Sequence, residues 1–118
     1  MPEFAPEDLA RWAGGAWTVP PNGRIGAFGI DSRKIRRGEV FVALRTDRRD
    51  GRDFVAAAEA NGAAGAIVDR QAPGAGLPQL VVAEPLAAFQ AIAREHRRRF
   101  PGTVIAVTGS AGKTSTKE

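Results

Sequence analysis

Residues 39–69 read EVFVALRTDRRDGRDFVAAAEANGAAGAIVD, and the fold turns on this stretch. EVFVAL, 39–44, is β-branched and aromatic, the composition of a buried strand. RTDRRDG, 45–51, is a polar loop. Asp50 or Asp53 is placed to cap the helix that follows, DFVAAAEAN, and Gly62 to close it. GAIVD, 65–69, is the next strand. A strand, a helix and a strand in this order predict an α/β architecture with a largely parallel sheet.

The same alternation extends to both sides. Upstream, PEDLARWA, 6–13, reads as a short helix: Pro6 suits its first turn, Glu7 and Asp8 its positive end, and Gly14–Gly15 its stop. Residues 16–23, with Pro20, Pro21, Asn22 and Gly23, read as a loop. IGAFGID, 25–31, is a strand that leads into Asp31-Ser32-Arg33, and Arg37-Gly38 marks a turn. Downstream come a loop at 71–78, a strand at 79–83 and a long helix, PLAAFQAIAREHRRRF, at 85–100. Leu86, Phe89, Ile92, Ala93, His96 and Phe100 fall at helical spacing and predict one apolar stripe. Pro101-Gly102 breaks the helix, and TVIAVT, 103–108, is a last strand. The expected fold is α/β, a small mixed or mostly parallel sheet flanked by helices. The expected division falls at Pro101-Gly102, giving one unit over 1–101 and the opening of a second over 102–118.

Composition narrows the classes of function. The chain has 118 residues, enough for one domain or one domain plus a stub, and its 43% hydrophobic residues suffice for one core. A net charge of +4 favours anionic partners without choosing among them. The absence of cysteine removes disulfides and thiolate metal sites. The acidic, amphipathic start has no apolar segment of the signal type, and no stretch approaches the length that spans a bilayer, so a cytoplasmic protein without membrane contact is expected.

The chemistry concentrates after the last strand, in TGSAGKTS, 108–115. A phosphate loop needs glycines so that backbone N–H groups converge on oxygens, a lysine to neutralise charge, and a hydroxyl beside that lysine for Mg²⁺. Gly109, Gly112, Lys113 and Thr114 supply these parts, and a predicted strand precedes them. The spacing is not the common one: Val107 stands five residues before Gly112, and the first glycine is Gly109. A glycine turn with a chance lysine is the plain alternative.

The shortened loop resembles that of the Mur ligases. VTGSAGKTSTKE, 107–118, looks like their ATP-binding loop, and DSRKIRRGEVFVAL, 31–44, resembles their N-terminal D-S-R-x-[IV]-x-x-G-[DE]-[LV]-F-V-A-L stretch. DGRDFVAAAEANGAAGAIVDR, 50–70, is similar to the helix and strand that follow it in the family. Thr116-Lys117-Glu118 favours the member that adds D-alanyl-D-alanine to UDP-N-acetylmuramoyl-tripeptide over the sister that adds the third peptide residue. The chain departs from the family pattern at Leu44-Arg45-Thr46, where many members read L-x-G, and at Arg52, where many have histidine.

The resemblance implies a monomeric, ATP- and Mg²⁺-dependent ligase that phosphorylates a peptide carboxylate to an acyl phosphate, which an amine then attacks. It implies that Ser32, Arg33, Thr46, Asp47 and Arg48 meet the UDP moiety. It implies that Thr108, Gly109, Ser110, Ala111, Gly112, Lys113, Thr114 and Ser115 meet ATP, with Lys113 as the catalytic cation and Thr114 holding the metal. Residues 1–101 would be the UDP-substrate-binding domain and 102–118 the start of the ATP-binding domain; the 118 residues alone are expected not to ligate. A non-catalytic UDP-sugar-binding module stays open beside this reading.

Other features read plainly. Asp31-Ser32-Arg33 is also a pattern for a capped turn with a surface arginine. From Arg33 to Arg52 there are eight basic and three acidic residues, but no aromatic interleaving for stacking on bases, so a solvated surface is expected and no nucleic-acid partner. Arg97, Arg98 and Arg99 complement the negative end of their helix. His96 has no metal-ligand type nearby and reads as a packed histidine, and Trp12 and Trp17 as core or boundary residues.

Overall fold

The computed structural model describes residues 4–21, 23, 25–44, 54–72, 74–99 and the backbone of 107–108. The elements run α1 (Pro6–Ala13), β1 (Ala16–Trp17), β2 (Ala27–Gly29), a 3-10 turn η1 (Ser32–Lys34), β3 (Glu39–Val42), α2 (Val55–Ala60), β4 (Gly65–Val68), β5 (Gln79–Val81), α3 (Pro85–Arg99) and β6 (Val107–Thr108).

The strands form one sheet in the order β1-β5-β4-β3-β2-β6. All neighbours are parallel except β1, which lies antiparallel to β5. The sheet is thus mixed and mostly parallel, as the alternation of strands and helices predicts.

Period-two alternation divides the core between the two faces of this sheet. Phe28, Val40, Val42, Ile67 and Leu80 pack with Leu9 of α1 and with Ala88, Phe89 and Ile92 of α3. Phe41, Ala43, Ala66 and Val68 pack with Ile35 and with Val55 and Ala58 of α2 on the other face. Burial on both faces explains why the β3 and β4 sequences are almost wholly apolar. On the α3 face, the rings of Phe4 and Phe28 meet edge-on at 5.3 Å, and Phe28 and Phe89 lie 5.2 Å apart.

The helix ends follow their local chemistry. Pro6 occupies the first turn of α1, and Gly14 ends it at φ 73°, its N–H bonded to the Ala10 carbonyl. Gly62 follows α2 at φ 95°. Asp50 and Asp53, the caps expected for α2, lie outside the described residues; Phe54 stands at the N-cap without a side-chain cap bond. The described strands are shorter than the apolar runs that announced them. Of the last strand, 103–106 lie outside the described residues.

Two expectations need correction. The segment read as a loop at 16–23 opens with β1, whose Ala16 and Trp17 pair with Val81 and Leu80, more than 60 positions away in sequence. The stripe on α3 is also turned from the expected one. Pro85, Ala88, Phe89, Ile92 and His96 are buried, whereas Leu86 is 51% exposed. At about 100° per residue, a stripe centred on Ile92 and His96 takes in Ala88 and Pro85 and leaves Leu86 on its far shoulder. Phe100 lies outside the described residues.

Buried polar groups are paired where they hold loops. Gln79 is wholly buried; its Oε1 accepts from the Ala72 N–H at 2.6 Å and its Nε2 donates to the Ala72 carbonyl at 3.2 Å. That one amide stitches the 69–78 connection to β5. His96 is buried too, with its ring 5.1 Å from that of Phe4. Arg99 reaches across to α1 and lies over the Trp12 ring at 5.3 Å, whereas Arg98 pairs with Glu95 on α3 itself. Trp17 Nε1 donates to the Pro6 carbonyl at 2.8 Å.

Candidate functional site

The strand β2 ends at Gly29, and the chain turns at Asp31. The Asp31 backbone is extended (φ −119°, ψ 111°), and its carboxylate caps η1 by accepting from the Arg33 N–H at 3.0 Å. The same carboxylate is forked by the Arg33 side chain, with Nε 3.1 Å from Oδ1 and a terminal nitrogen 3.0 Å from Oδ2. Arg33 holds the Asp31 carboxyl below the usual carboxylate range, chiefly through the side-chain fork and then through its backbone N–H.

The Arg33 side chain is nonetheless 84% exposed. Two of the five guanidinium N–H donors are taken by Asp31, and the others face solvent, so the turn presents a planar, pre-oriented cation. Such a group suits phosphate or carboxylate. The expectation of a capped turn with a surface arginine holds.

Ser32 is buried, and its carbonyl accepts from the Asn61 side chain (Nδ2) at 2.8 Å. Among the described residues nothing hydrogen-bonds the Ser32 hydroxyl. The turn is closed at its far side by Glu39, whose Oε1 accepts from the Arg36 N–H at 3.0 Å. Asn61 was not legible as a site residue, because the bond joins positions 29 apart through two different elements.

The sheet decides what stands next to this turn. Gly29 pairs with Phe41 of β3 on one side and with Thr108 of β6 on the other, all parallel. The carboxyl ends of β2, β3 and β6 therefore lie side by side. Asp31-Ser32-Arg33 and Ala43-Leu44 leave the sheet at that one end, where open α/β sheets bind ligands. Of the sequence-predicted site residues, Ser32 and Arg33 follow the end of β2 and Thr108 stands at the end of the neighbouring β6. Thr46, Asp47 and Arg48, and Gly109, Ser110, Ala111, Gly112, Lys113, Thr114 and Ser115, lie outside the described residues. Among the described residues, no group of three or more His, Asp or Glu is placed to hold a metal ion. No helix among them is long and apolar enough to cross a membrane.

The profile described as "Mur ligase family, catalytic domain" matches residues 24–98, more than half of the chain. The chain belongs to the Mur ligase family. Within that family it is 43% identical over 94 residues to the UDP-N-acetylmuramoyl-tripeptide–D-alanyl-D-alanine ligase of Escherichia coli (strain K12), over 80% of this chain and 21% of that one. It is 35% identical over 111 residues to the UDP-N-acetylmuramoyl-L-alanyl-D-glutamate–2,6-diaminopimelate ligase of Rhizobium meliloti (strain 1021), over 93% of this chain and 22% of that one.

Among solved Mur ligases, the crystal structure of MurF from Acinetobacter baumannii superposes with a TM-score of 0.79 at 31% identity, covering 86% of this chain and 22% of that one. The MurF ligase from Thermotoga maritima in complex with ADP superposes at 0.58 with 39% identity, over 75% and 20%. The chain spans about a fifth of the length of the curated Mur ligases it matches, 21% of each of the first two.

Proposed function

We propose that this chain is the substrate-binding part of an ATP-dependent ligase that adds D-alanyl-D-alanine to UDP-N-acetylmuramoyl-tripeptide in peptidoglycan precursor synthesis. The observation that carries the reading is the register of β2 with β3 and β6. It sets the Asp31-Ser32-Arg33 turn beside the strand end at which the Gly-rich stretch begins. The names of the relatives and the ADP complex of a structural neighbour support the same reading.

Arg33 would take a phosphate or carboxylate of the substrate with its free donors, and Ser32, Thr46, Asp47 and Arg48 would complete the UDP end. The residues of the Gly-rich stretch fit ATP in kind: they follow a parallel strand directly, and they bring glycines, a lysine and hydroxyls. Thr108 to Ser115 would line the triphosphate, Lys113 would neutralise charge on the transferred phosphoryl group, and the Thr114 hydroxyl would hold Mg²⁺. The division into 1–101 for substrate and 102–118 for the opening of the ATP domain belongs to this proposal, as do a monomeric state and a cytoplasmic home. The strand β6 would serve both parts, closing the substrate sheet and carrying the phosphate stretch.

Calorimetric titration of UDP-N-acetylmuramoyl-tripeptide into the chain tests the proposal. Binding is expected to survive Lys113→Ala and to weaken at least tenfold with Arg33→Ala, the loss expected when a charge-assisted bidentate contact is removed. Equal binding by wild type and Arg33→Ala would remove the turn from the site.

A second reading, the sister that adds the third peptide residue, is favoured by the Rhizobium match over 93% of the chain. Titrating UDP-N-acetylmuramoyl-dipeptide in parallel separates the two. Preference for the tripeptide supports the dipeptide-adding ligase, and preference for the shorter substrate supports the sister.

A further inference from the structure

The fork between Asp31 and Arg33 joins residues two apart, so it shapes the turn without placing it. Placement requires a bond to another element. Among the described residues, the one hydrogen bond that ties Asp31 to Lys34 to another element comes from Asn61, whose Nδ2 lies 2.8 Å from the Ser32 carbonyl.

Asn61 stands immediately after α2, with its own N–H bonded to the Ala57 and Ala58 carbonyls at 3.1 Å each, so its backbone is held by the helix. The next residue strengthens the seat: a Cβ built on Gly62 would lie 3.7 Å from the Arg37 Cα. The carboxyl end of α2 thus bonds η1 at Ser32, and its Gly62 faces Arg37 on the way to β3. The same helix follows the 45–53 stretch that contains Thr46, Asp47 and Arg48. Along the chain it therefore follows both segments read as binding the UDP end, and its carboxyl end returns to the first of them.

We propose that Asn61 is a positioning residue for ligand recognition by this turn, holding the Ser32 backbone so that Arg33 projects at the mouth of the site. The inference rests on the reading of Ser32 and Arg33 as substrate-binding. The contact requires a donor, since the Ser32 carbonyl only accepts. Asparagine supplies one at a helix end that its short side chain also suits.

The test uses the 118-residue chain with Asn61→Ala, Asn61→Asp and Glu59→Ala. Aspartate keeps the shape of asparagine but, when ionised, has no donor. Glu59 sits on the same helix and holds a different loop, accepting from the Gly76 N–H at 3.0 and 3.2 Å. It is the control for a general weakening of α2. Two readouts are taken: amide exchange at Arg33 and Lys34, which needs no ligand, and calorimetric affinity for UDP-N-acetylmuramoyl-tripeptide.

Both Asn61 variants are expected to speed exchange at Arg33 and Lys34, and to weaken binding, by about five- to tenfold each, the loss of one partly buried hydrogen bond. Glu59→Ala is expected to do neither. Wild-type exchange in Asn61→Asp, or equal loss of affinity in Glu59→Ala, overturns the proposal. Faster exchange in the Asn61 variants with substrate affinity unchanged overturns it too, and leaves the substrate reading standing. Faster exchange with no substrate binding by wild type reduces Asn61 to a structural anchor and removes the substrate reading with it.

Discussion

Among the described residues, Asp31 and His96 are the two acidity-sensitive side chains that the fold perturbs downward, and they act at different ends of the pH scale. Arg33 stabilises the charged form of Asp31, so whatever stability the pair supplies is present above the ordinary carboxylate pKa and is lost as pH falls through the lowered folded value. Burial disfavours the charged form of His96 and lowers its pKa. On acidification the unfolded chain takes up that proton first, near pH 6.5, and the folded chain only at lower pH. The unfolded state then binds more protons, so stability falls as pH drops from about 7 toward the folded value. Urea unfolding at pH 7.5 and 5.5 is expected to show this loss in wild type and a smaller one in His96→Phe. An equal loss in both would place the acid sensitivity elsewhere.

Among the elements, the junction of α1 with β1 and the exposed shoulder of α3 make opposite predictions. A Cβ on Gly15 would sit 2.3 Å from the Val81 carbonyl oxygen and 2.6 Å from a Val82 methyl. The backbone of β5 cannot give way without disturbing its pairing with β1 and β4. Gly15→Ala is therefore expected to cost about 2–3 kcal/mol, read as a melting-point drop of several degrees. Leu86 lies on the solvent side of α3, so Leu86→Lys is expected to change stability by no more than about 0.5 kcal/mol. Ile92→Ala, on the buried side of the same helix, is expected to cost about 2–5 kcal/mol. The three melts together test where the helix faces. The apolar spacing announced the helix well but left its rotation open by one position, because a side chain's apolar character does not say whether a partner waits opposite it.

For the molecule as a whole, the decisive feature is that β6 joins β2, next to the candidate site. Amides of Val107 and Thr108 are expected to exchange slowly in a dilute monomer, with protection independent of concentration. Protection that rises with concentration would mean pairing with a second chain instead. Much of this molecule was legible beforehand. The strands at β2 to β5 follow from β-branched and aromatic runs, α1 from Pro6 and Gly14, α2 from an alanine-rich segment closed by Gly62, and the chemistry of the turn and Gly-rich stretch from their residue types. These are local properties, set by backbone sterics, side-chain solvation and neighbours a few positions away. What only the tertiary structure decided is non-local: β1 against β5, β2 between β3 and β6, and Asn61 on Ser32. Backbone N–H and C=O groups are the same in every strand, so pairing order carries no local mark. It is settled when both sheet faces find their helices and the strands fall into the register that buries them all.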